Sequence, residues 1–242
     1  MAQLFAGTSG WAYPSWKPDF YPDKLAQKKF LGHYATCLNT VEVNFTFRQL
    51  VKETTMQNWL QDTPAHFRFG IKAHQVITHI KRLKGTEDFL PRFLATIEPV
   101  AVAGKLGPVL FQLPPNLKAD TALLTDFLAT VPRTVPAAFE FRNASWLTDS
   151  TWDLLKSSNA ALCVAETETM TTPDVVTAAF VYYRFRKPSY TGDERKSMVD
   201  RIQQHLAEGR NVFAYFKHEE TPEGALYAVE LLREVGRNGL QP

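Results

Sequence analysis

Glu140 and Arg142 stand two positions apart in the stretch AAFEFR (137–142), and the same spacing recurs in Glu42 with Asn44, Lys72 with His74, and Arg184 with Arg186. In an extended chain residues i and i+2 share a face, so each pair sets two polar groups side by side while Val43, Ala73, Phe141 and Phe185 face the other way. Charges on one face of an otherwise apolar strand are costly to bury. Read structurally, they are ion pairs plugging the end of a sheet. Repeated on several strands, they point instead to a site, because buried charges in a cleft are more often retained for function. Lys72, Arg142, Arg184, Arg186 and Lys217 supply the cations that phosphate or carboxylate recognition needs, and Glu140 and Glu42 are candidate acid/base groups. Gln112 and Asn44 would orient a ligand by hydrogen bonds. The protonation of Glu140 depends on whether burial, which raises a carboxyl pKa, outweighs a neighbouring arginine, which lowers it.

These residues must be brought together by the chain, and its pattern says how. Short runs rich in β-branched and aromatic residues recur at 4–9, 40–44, 68–73, 108–113, 137–142, 161–166, 180–185 and 211–217. Each reads as a strand by length and bounding residues. Helical periodicity lies between them, as at Phe89, Phe93, Leu94 and Ile97 in 86–103, or Ala225, Val229, Leu232 and Val235 in 222–236. Strands alternating with helices imply a parallel α/β architecture, and eight units in 242 residues predict a TIM-type (β/α)8 barrel spanning 1–242 as a single domain. The sixth crossover, TETMTTPDVVTA, is short. A doubly wound sheet is the alternative, but no Gly-x-Gly-x-x-Gly follows the first strand and GTSGW lacks the P-loop lysine.

The polar residues cluster at the ends of these runs: Thr8 and Ser9, Glu42 and Asn44, Lys72 and His74, Gln112, Glu140 and Arg142, Glu166, Arg184 and Arg186, Lys217 and His218. The starts carry no such set. In a barrel all C-terminal strand ends open on one mouth, where active sites are built, so the expectation is convergence.

Two loops extend that mouth. GWAYPSWKPDFYPDKL follows the first strand and is far longer than the roughly 2–6 residues usual for a βα connection. Trp11, Tyr13, Trp16, Phe20 and Tyr21 alternate there with prolines, as a stacking lid for a sugar or base or as a self-packed rim. ITHIKRLKG (77–85) gathers His79, Lys81, Arg82 and Lys84, either as a solvated basic loop or as an overhang for anions.

Other chemistries find less support. The histidines show neither HExxH nor HxH spacing, although His74 and His218 are placed to converge with Glu42, Glu140 and Glu166; the sequence requires no metal and no other cofactor. There is no Gly-x-Ser-x-Gly, and Cys37 and Cys163 lie far apart outside any activating or disulfide-rich context. Lys and Arg number 27 against 25 Asp and Glu, a net charge of +2, which argues against bulk electrostatic binding of nucleic acid. Neither a signal-peptide pattern nor a run of membrane-spanning length occurs, so a cytoplasmic protein without a membrane partner is expected.

The segments GTSGW, FYP, NTVEVN, FRFGIKAHQVITHIKRL, LGPVLFQLPPNLK, FEFRNASW, VYYRFR and YFKHEETPEGALYA together resemble the domain of unknown function 72, or YecE-like, family, and run through nearly the whole chain in order. The resemblance implies a TIM-type barrel and no established reaction. It matches at Gly7, Thr8, Ser9, Gly10, Trp11, Glu42, Asn44, Thr46, Phe47, Lys72, Thr78, His79, Lys81, Arg82, Gln112, Glu140, Arg142, Trp146 and Arg184. Departures fall at Phe45 and Arg48, where members commonly carry Ser and Tyr, and at Lys217 and His218, where many carry asparagines. The expected function is an enzyme, with hydrolysis, isomerisation and lyase chemistry all open, acting on a small anionic or sugar-like ligand held by Lys72, Arg142, Arg184, Gln112, Asn44, Trp11, His79 and Lys217. The alternatives are a nucleic-acid-binding or processing protein using the two loops and a non-catalytic ligand-binding barrel.

Overall fold

β-Branched and aromatic residues build eight short strands: β1 (Leu4–Thr8), β2 (Thr40–Val43), β3 (Arg68–Lys72), β4 (Leu106–Gln112), β5 (Ala137–Glu140), β6 (Ala161–Ala165), β7 (Phe180–Phe185) and β8 (Asn211–Phe216). They are seen in a computed structural model that describes residues 1–166 and 170–237. All are parallel, in the order β1-β8-β7-β6-β5-β4-β3-β2, and a parallel bridge between Ser9 and Glu42 brings the two edges together. Helices α1 (Phe30–Cys37), α2 (Glu53–Gln61), α3 (Phe89–Val102), α4 (Thr121–Thr130), α5 (Asp149–Ser157), α6 (Gly192–Ala207) and α7 (Glu223–Arg237) alternate with them. The architecture is a TIM-type barrel. No helix among the described residues is long and apolar enough to cross a membrane.

Strand alternation sorts side chains into two populations. Val41, Val43, Phe69, Ile71, Val109, Phe111, Phe139, Val181, Tyr183, Phe185, Val212, Ala214 and Phe216 join the core between barrel and helices. Phe5, Leu110, Ala138, Cys163, Phe180, Tyr182, Phe213 and Tyr215 form a second cluster inside the barrel. Val43, Ala73, Phe141 and Phe185, the spacers within the four polar pairs, all belong to the outer core. The residues alternating with them therefore turn inward or onto the mouth. Gly70 makes this packing fit: a Cβ there would approach the Tyr215 hydroxyl to 2.5 Å.

Between β1 and β2 side chains replace a full backbone ladder. Asn39 Oδ1 accepts from the Ala6 N–H at 2.9 Å while its Nδ2 donates to the Leu4 carbonyl at 2.8 Å. The Tyr34 hydroxyl accepts from the Thr8 N–H at 2.8 Å and donates to the Thr40 carbonyl at 2.9 Å. Gly7 leaves room for this seam, since a Cβ would lie 1.9 Å from the Thr40 carbonyl oxygen.

The connection from β6 to β7, the short sixth crossover, contains no helix among its described residues. Thr177 ties it down by donating to the Ala160 carbonyl at 2.7 Å and accepting from the Leu162 N–H at 2.8 Å. The aromatic loop after β1 is a packed rim: Trp16 and Tyr21 are fully buried, with rings 5.9 Å apart, and Phe20 is edge-on to both. Trp11 and Tyr13 of the same loop are only partly buried.

Candidate functional site

Arg184 occupies the centre of the barrel mouth. It follows Phe180 and Tyr182 on the inner face of β7, and its guanidinium lies between the carboxylates at the ends of β2 and β5. Nη2 donates to Glu42 Oε1 at 2.6 Å and Nη1 to Glu140 Oε2 at 2.5 Å. Neither glutamate has exposed surface, and Arg184 is 2% exposed. A planar fork suits two acceptors in fixed directions, which one point-like ammonium would not.

Each carboxylate has further donors. Glu42 accepts from Ser9 Oγ at 2.7 Å on Oε1 and from the Tyr182 hydroxyl at 2.6 Å on Oε2. Glu140 accepts from Gln112 Nε2 at 2.8 Å, Arg142 Nε at 3.0 Å and Arg186 Nη2 at 3.1 Å. Burial alone would raise both carboxyl pKa values, but the charges and donors outweigh it. Arg184, Arg186, Arg142 and Gln112 hold Glu140 well below the usual carboxylate range, and Arg184, Tyr182, Ser9 and Lys72 hold Glu42 below it. Glu140 is thus an ionised acceptor with both oxygens engaged. Glu42 keeps more room, because its Oε2 takes only the tyrosine proton.

The solvent side of this cluster is cationic. The Arg142 side chain is 31% exposed and that of Arg186 17% exposed, and both donate inward to the same carboxylate. Lys72, at the end of β3, places Nζ 4.2 Å from the centroid of the Phe47 ring, and that ammonium makes no hydrogen bond or ion pair with any described residue, while the Lys72 carbonyl accepts from Thr46 Oγ1 at 2.6 Å. Burial and the nearby Arg184 bring its ammonium down to about 8, with Glu42 and Glu140 offsetting this only in part. His79 stands edge-on to Phe47 at 4.9 Å, with Nδ1 bonded to Thr78 Oγ1 at 2.9 Å. Burial, then the charges of Lys72, Arg142 and Arg82, push its pKa down, leaving a neutral imidazole at pH 7. Four cations thus surround two carboxylates, a local positive excess in a chain of net charge +2.

The strand-end residues do not all converge. Glu42, Lys72, Gln112, Glu140, Arg142, Arg184 and, at the edge, His79 meet at the mouth. Asn44 opens the turn after β2 with its Oδ1 buried and without a partner among the described residues. Lys217, one residue beyond β8, has an exposed side chain that lies 3.6 Å from Glu219 rather than on the Arg184 cluster. Trp11 packs edge-on against Trp59 of α2 at 5.3 Å. His74 parts from Lys72: its ring lies against Phe89 at 5.0 Å, and Nδ1 accepts from the Val76 N–H. His218 Nε2 faces the Pro188 carbonyl at 3.2 Å. Glu166 accepts from the Tyr190 hydroxyl and the Arg186 N–H. No group of three His, Cys, Asp or Glu among the described residues is placed to hold a metal ion.

Tyr182 is a site residue that the strand-end pattern does not name, whereas Ser9 and Arg186, named there, do join the cluster. Tyr182 was recoverable from its position two before Arg184 on one strand face. A cavity of about 380 Å³ between α6 and α7, lined by Arg195, Met198, Phe216, Tyr227 and Glu230, lies apart from this cluster.

The model of the family described as Protein of unknown function DUF72 matches residues 5–242. The UPF0759 protein YunF of Bacillus subtilis is 29% identical over 149 residues, covering 59% of this chain and 52% of that protein. The chain thus spans about half the length of the curated relatives it matches. Among solved structures, a DUF72 family protein of Thermotoga maritima superposes with a TM-score of 0.83 at 22% identity, over 97% of this chain and 99% of that one. One from Enterococcus faecalis does so with a TM-score of 0.79 at 17% identity, over 98% of each. These likenesses show the fold.

Proposed function

The chain belongs to the DUF72 family of proteins of unknown function, and we propose that its barrel mouth binds a small ligand carrying a phosphate or carboxylate as the substrate of an enzyme. One observation carries this reading: Arg142 and Arg186 both donate to Glu140 while their side chains stay 31% and 17% exposed, so both guanidiniums, the buried Arg186 Nε apart, border the solvent side of the cluster. Guanidinium N–H groups held by a buried carboxylate are pre-oriented for an incoming anion, which reduces the ordering cost of binding. Lys72 adds a further positive charge beside them.

In this arrangement Glu140 and Glu42 take different roles. Glu140 fixes three arginines and, held ionised with both oxygens engaged, is a poor proton acceptor. Glu42, with acceptor capacity left on Oε2, is the better acid/base group. Gln112 positions Glu140 rather than the ligand. Burial of Trp16, Phe20 and Tyr21 leaves only Trp11 and Tyr13 of the aromatic loop partly exposed, which supports a small ligand over a polynucleotide.

The test is thermal denaturation of the native protein and of Arg142→Ala with inorganic phosphate, a phosphosugar, a sugar acid and an oligonucleotide. A ligand at a hundredfold excess over its Kd stabilises the folded state by about 2.7 kcal/mol. A small anion should raise the native Tm and shift Arg142→Ala less. Stabilisation by the oligonucleotide alone, or equal shifts in both proteins, overturns the reading.

A further inference from the structure

A second lysine with little exposure, Lys105, shows by contrast what Lys72 lacks. Lys105, at the base of the barrel, is 7% exposed, and its Nζ donates to the Leu60 carbonyl at 2.9 Å, the Thr63 carbonyl at 2.6 Å and Thr63 Oγ1 at 3.0 Å. That is a structural lysine, with each proton on an acceptor. Lys72 has no acceptor among the described residues, only the face of Phe47. The nearby carboxylates are bonded to Arg184, Arg186 and Arg142 instead. A lysine set on the inner face of a barrel strand, against an aromatic ring and among arginines, is poorly arranged as an ion-pair partner. It is well arranged as an amine.

We propose that Lys72 is a nucleophile that forms an imine with an aldehyde or ketone bearing a phosphate or carboxylate, an inference that rests on the anion site assigned above. Arg142 and Arg186 take the anionic group and hold the carbonyl at the inner side of the mouth. The neutral amine of Lys72 adds through its lone pair to the carbonyl carbon; the carbon–oxygen π pair moves to oxygen, which gains the proton lost by nitrogen, giving a carbinolamine. Protonation of that hydroxyl then releases water as the nitrogen lone pair forms the C=N bond. No oxidant or reductant is consumed. The neutral imidazole of His79, whose Nε2 makes no hydrogen bond among the described residues, can relay these protons. Burial and neighbouring cations favour the free amine that the first step needs.

The experiment uses pyridoxal 5′-phosphate, an aldehyde with a phosphate, as probe. The native protein is incubated with it near pH 8, reduced with borohydride to convert any imine to a stable secondary amine, and mapped by peptide mass spectrometry. The free-amine fraction of a lysine titrating near 8 exceeds that of an ordinary lysine roughly 100-fold at this pH, and a preference of about that size on Lys72 is expected. Inorganic phosphate should suppress the label, pyridoxal without its phosphate should label weakly, and Lys72→Arg, which keeps the charge, should abolish the adduct at that position. Label spread over surface lysines with no excess on Lys72 overturns the imine, and the anion site then stands if calorimetry still detects phosphate binding. Strong labelling of Lys72 that is equal with pyridoxal and indifferent to phosphate overturns the anion-bearing substrate and, with it, the anion reading of the mouth.

Discussion

Arg184 and Glu42 are joined at 2.6 Å across the interior of the barrel, from β7 to β2, two strands that are not neighbours in the sheet. Because Arg184 also holds Glu140 on β5, one side chain links three strands at the mouth. Inward-facing groups this deep have little water to solvate them, so the charges depend on one another.

Removing Arg184 should therefore leave two buried carboxylates short of their shared partner. Arg184→Met is expected to lose about 3–5 kcal/mol in denaturant unfolding. Arg184→Lys should recover little of it, since one ammonium cannot reproduce the two-armed geometry. Combining Arg184→Met with Glu42→Gln and Glu140→Gln should restore part of the loss; a triple variant no more stable than the single one would show that packing of the arginine stem sets the cost.

Acid should act through the same cluster. Glu42 and Glu140 have folded-state pKa values below the ordinary 4.5, so their contribution to stability is complete above that value and is lost as pH falls from it toward the folded pKa. Unfolding midpoints measured from pH 6 downward should show native stability declining below about 4.5, with a shallower slope in Glu140→Gln, which begins less stable because it leaves three arginines facing a neutral amide. Parallel slopes in the two proteins would assign the acid sensitivity to other carboxylates.

Much of this was legible in the sequence because strand periodicity is strict. Each expected strand overlaps an observed one, and the spacing of Glu140 with Arg142 and Arg184 with Arg186 brings all four into one cluster. Past the strand ends alternation no longer decides: Arg142 and Arg186 still reach Glu140, while other residues there do not. Lys72 belongs to β3 and faces the mouth, whereas His74 lies beyond the strand end and follows a turn onto Phe89. Lys217 leaves β8 in the same way. The role of Glu140 was also out of reach, because it depends on how many donors converge on one carboxylate. The donors come from β4, from β7 and from residues just beyond β5 and β7.

The β1–β2 seam makes a separate prediction. Tyr34→Phe removes the hydroxyl that serves the Thr8 N–H and the Thr40 carbonyl, both in a buried setting, and should cost about 1–3 kcal/mol. Gly7→Ala should be worse, because its methyl meets a backbone carbonyl that cannot rotate away. Native-state hydrogen exchange should show the Thr8 amide losing protection in Tyr34→Phe; unchanged protection there would mean that the backbone carries the seam alone.

Lys72 should reverse the usual alkaline behaviour over a limited range. Its ammonium titrates near 8 in the folded protein and near 10.5 when unfolded, so between those values the unfolded chain binds more protons than the folded one. Stability contributed at this position therefore rises with pH from about 8, where an uncharged amine replaces a cation crowded by Arg184. Buried tyrosines oppose this only as pH approaches 10, where their ionisation favours the unfolded chain. The difference in unfolding free energy between the native protein and Lys72→Met isolates the lysine, since both share the tyrosines. That difference should move in favour of the native protein from pH 8 to 9.5. A flat difference would place the Lys72 ammonium in water rather than among the arginines, and would remove the electrostatic basis for its nucleophilicity.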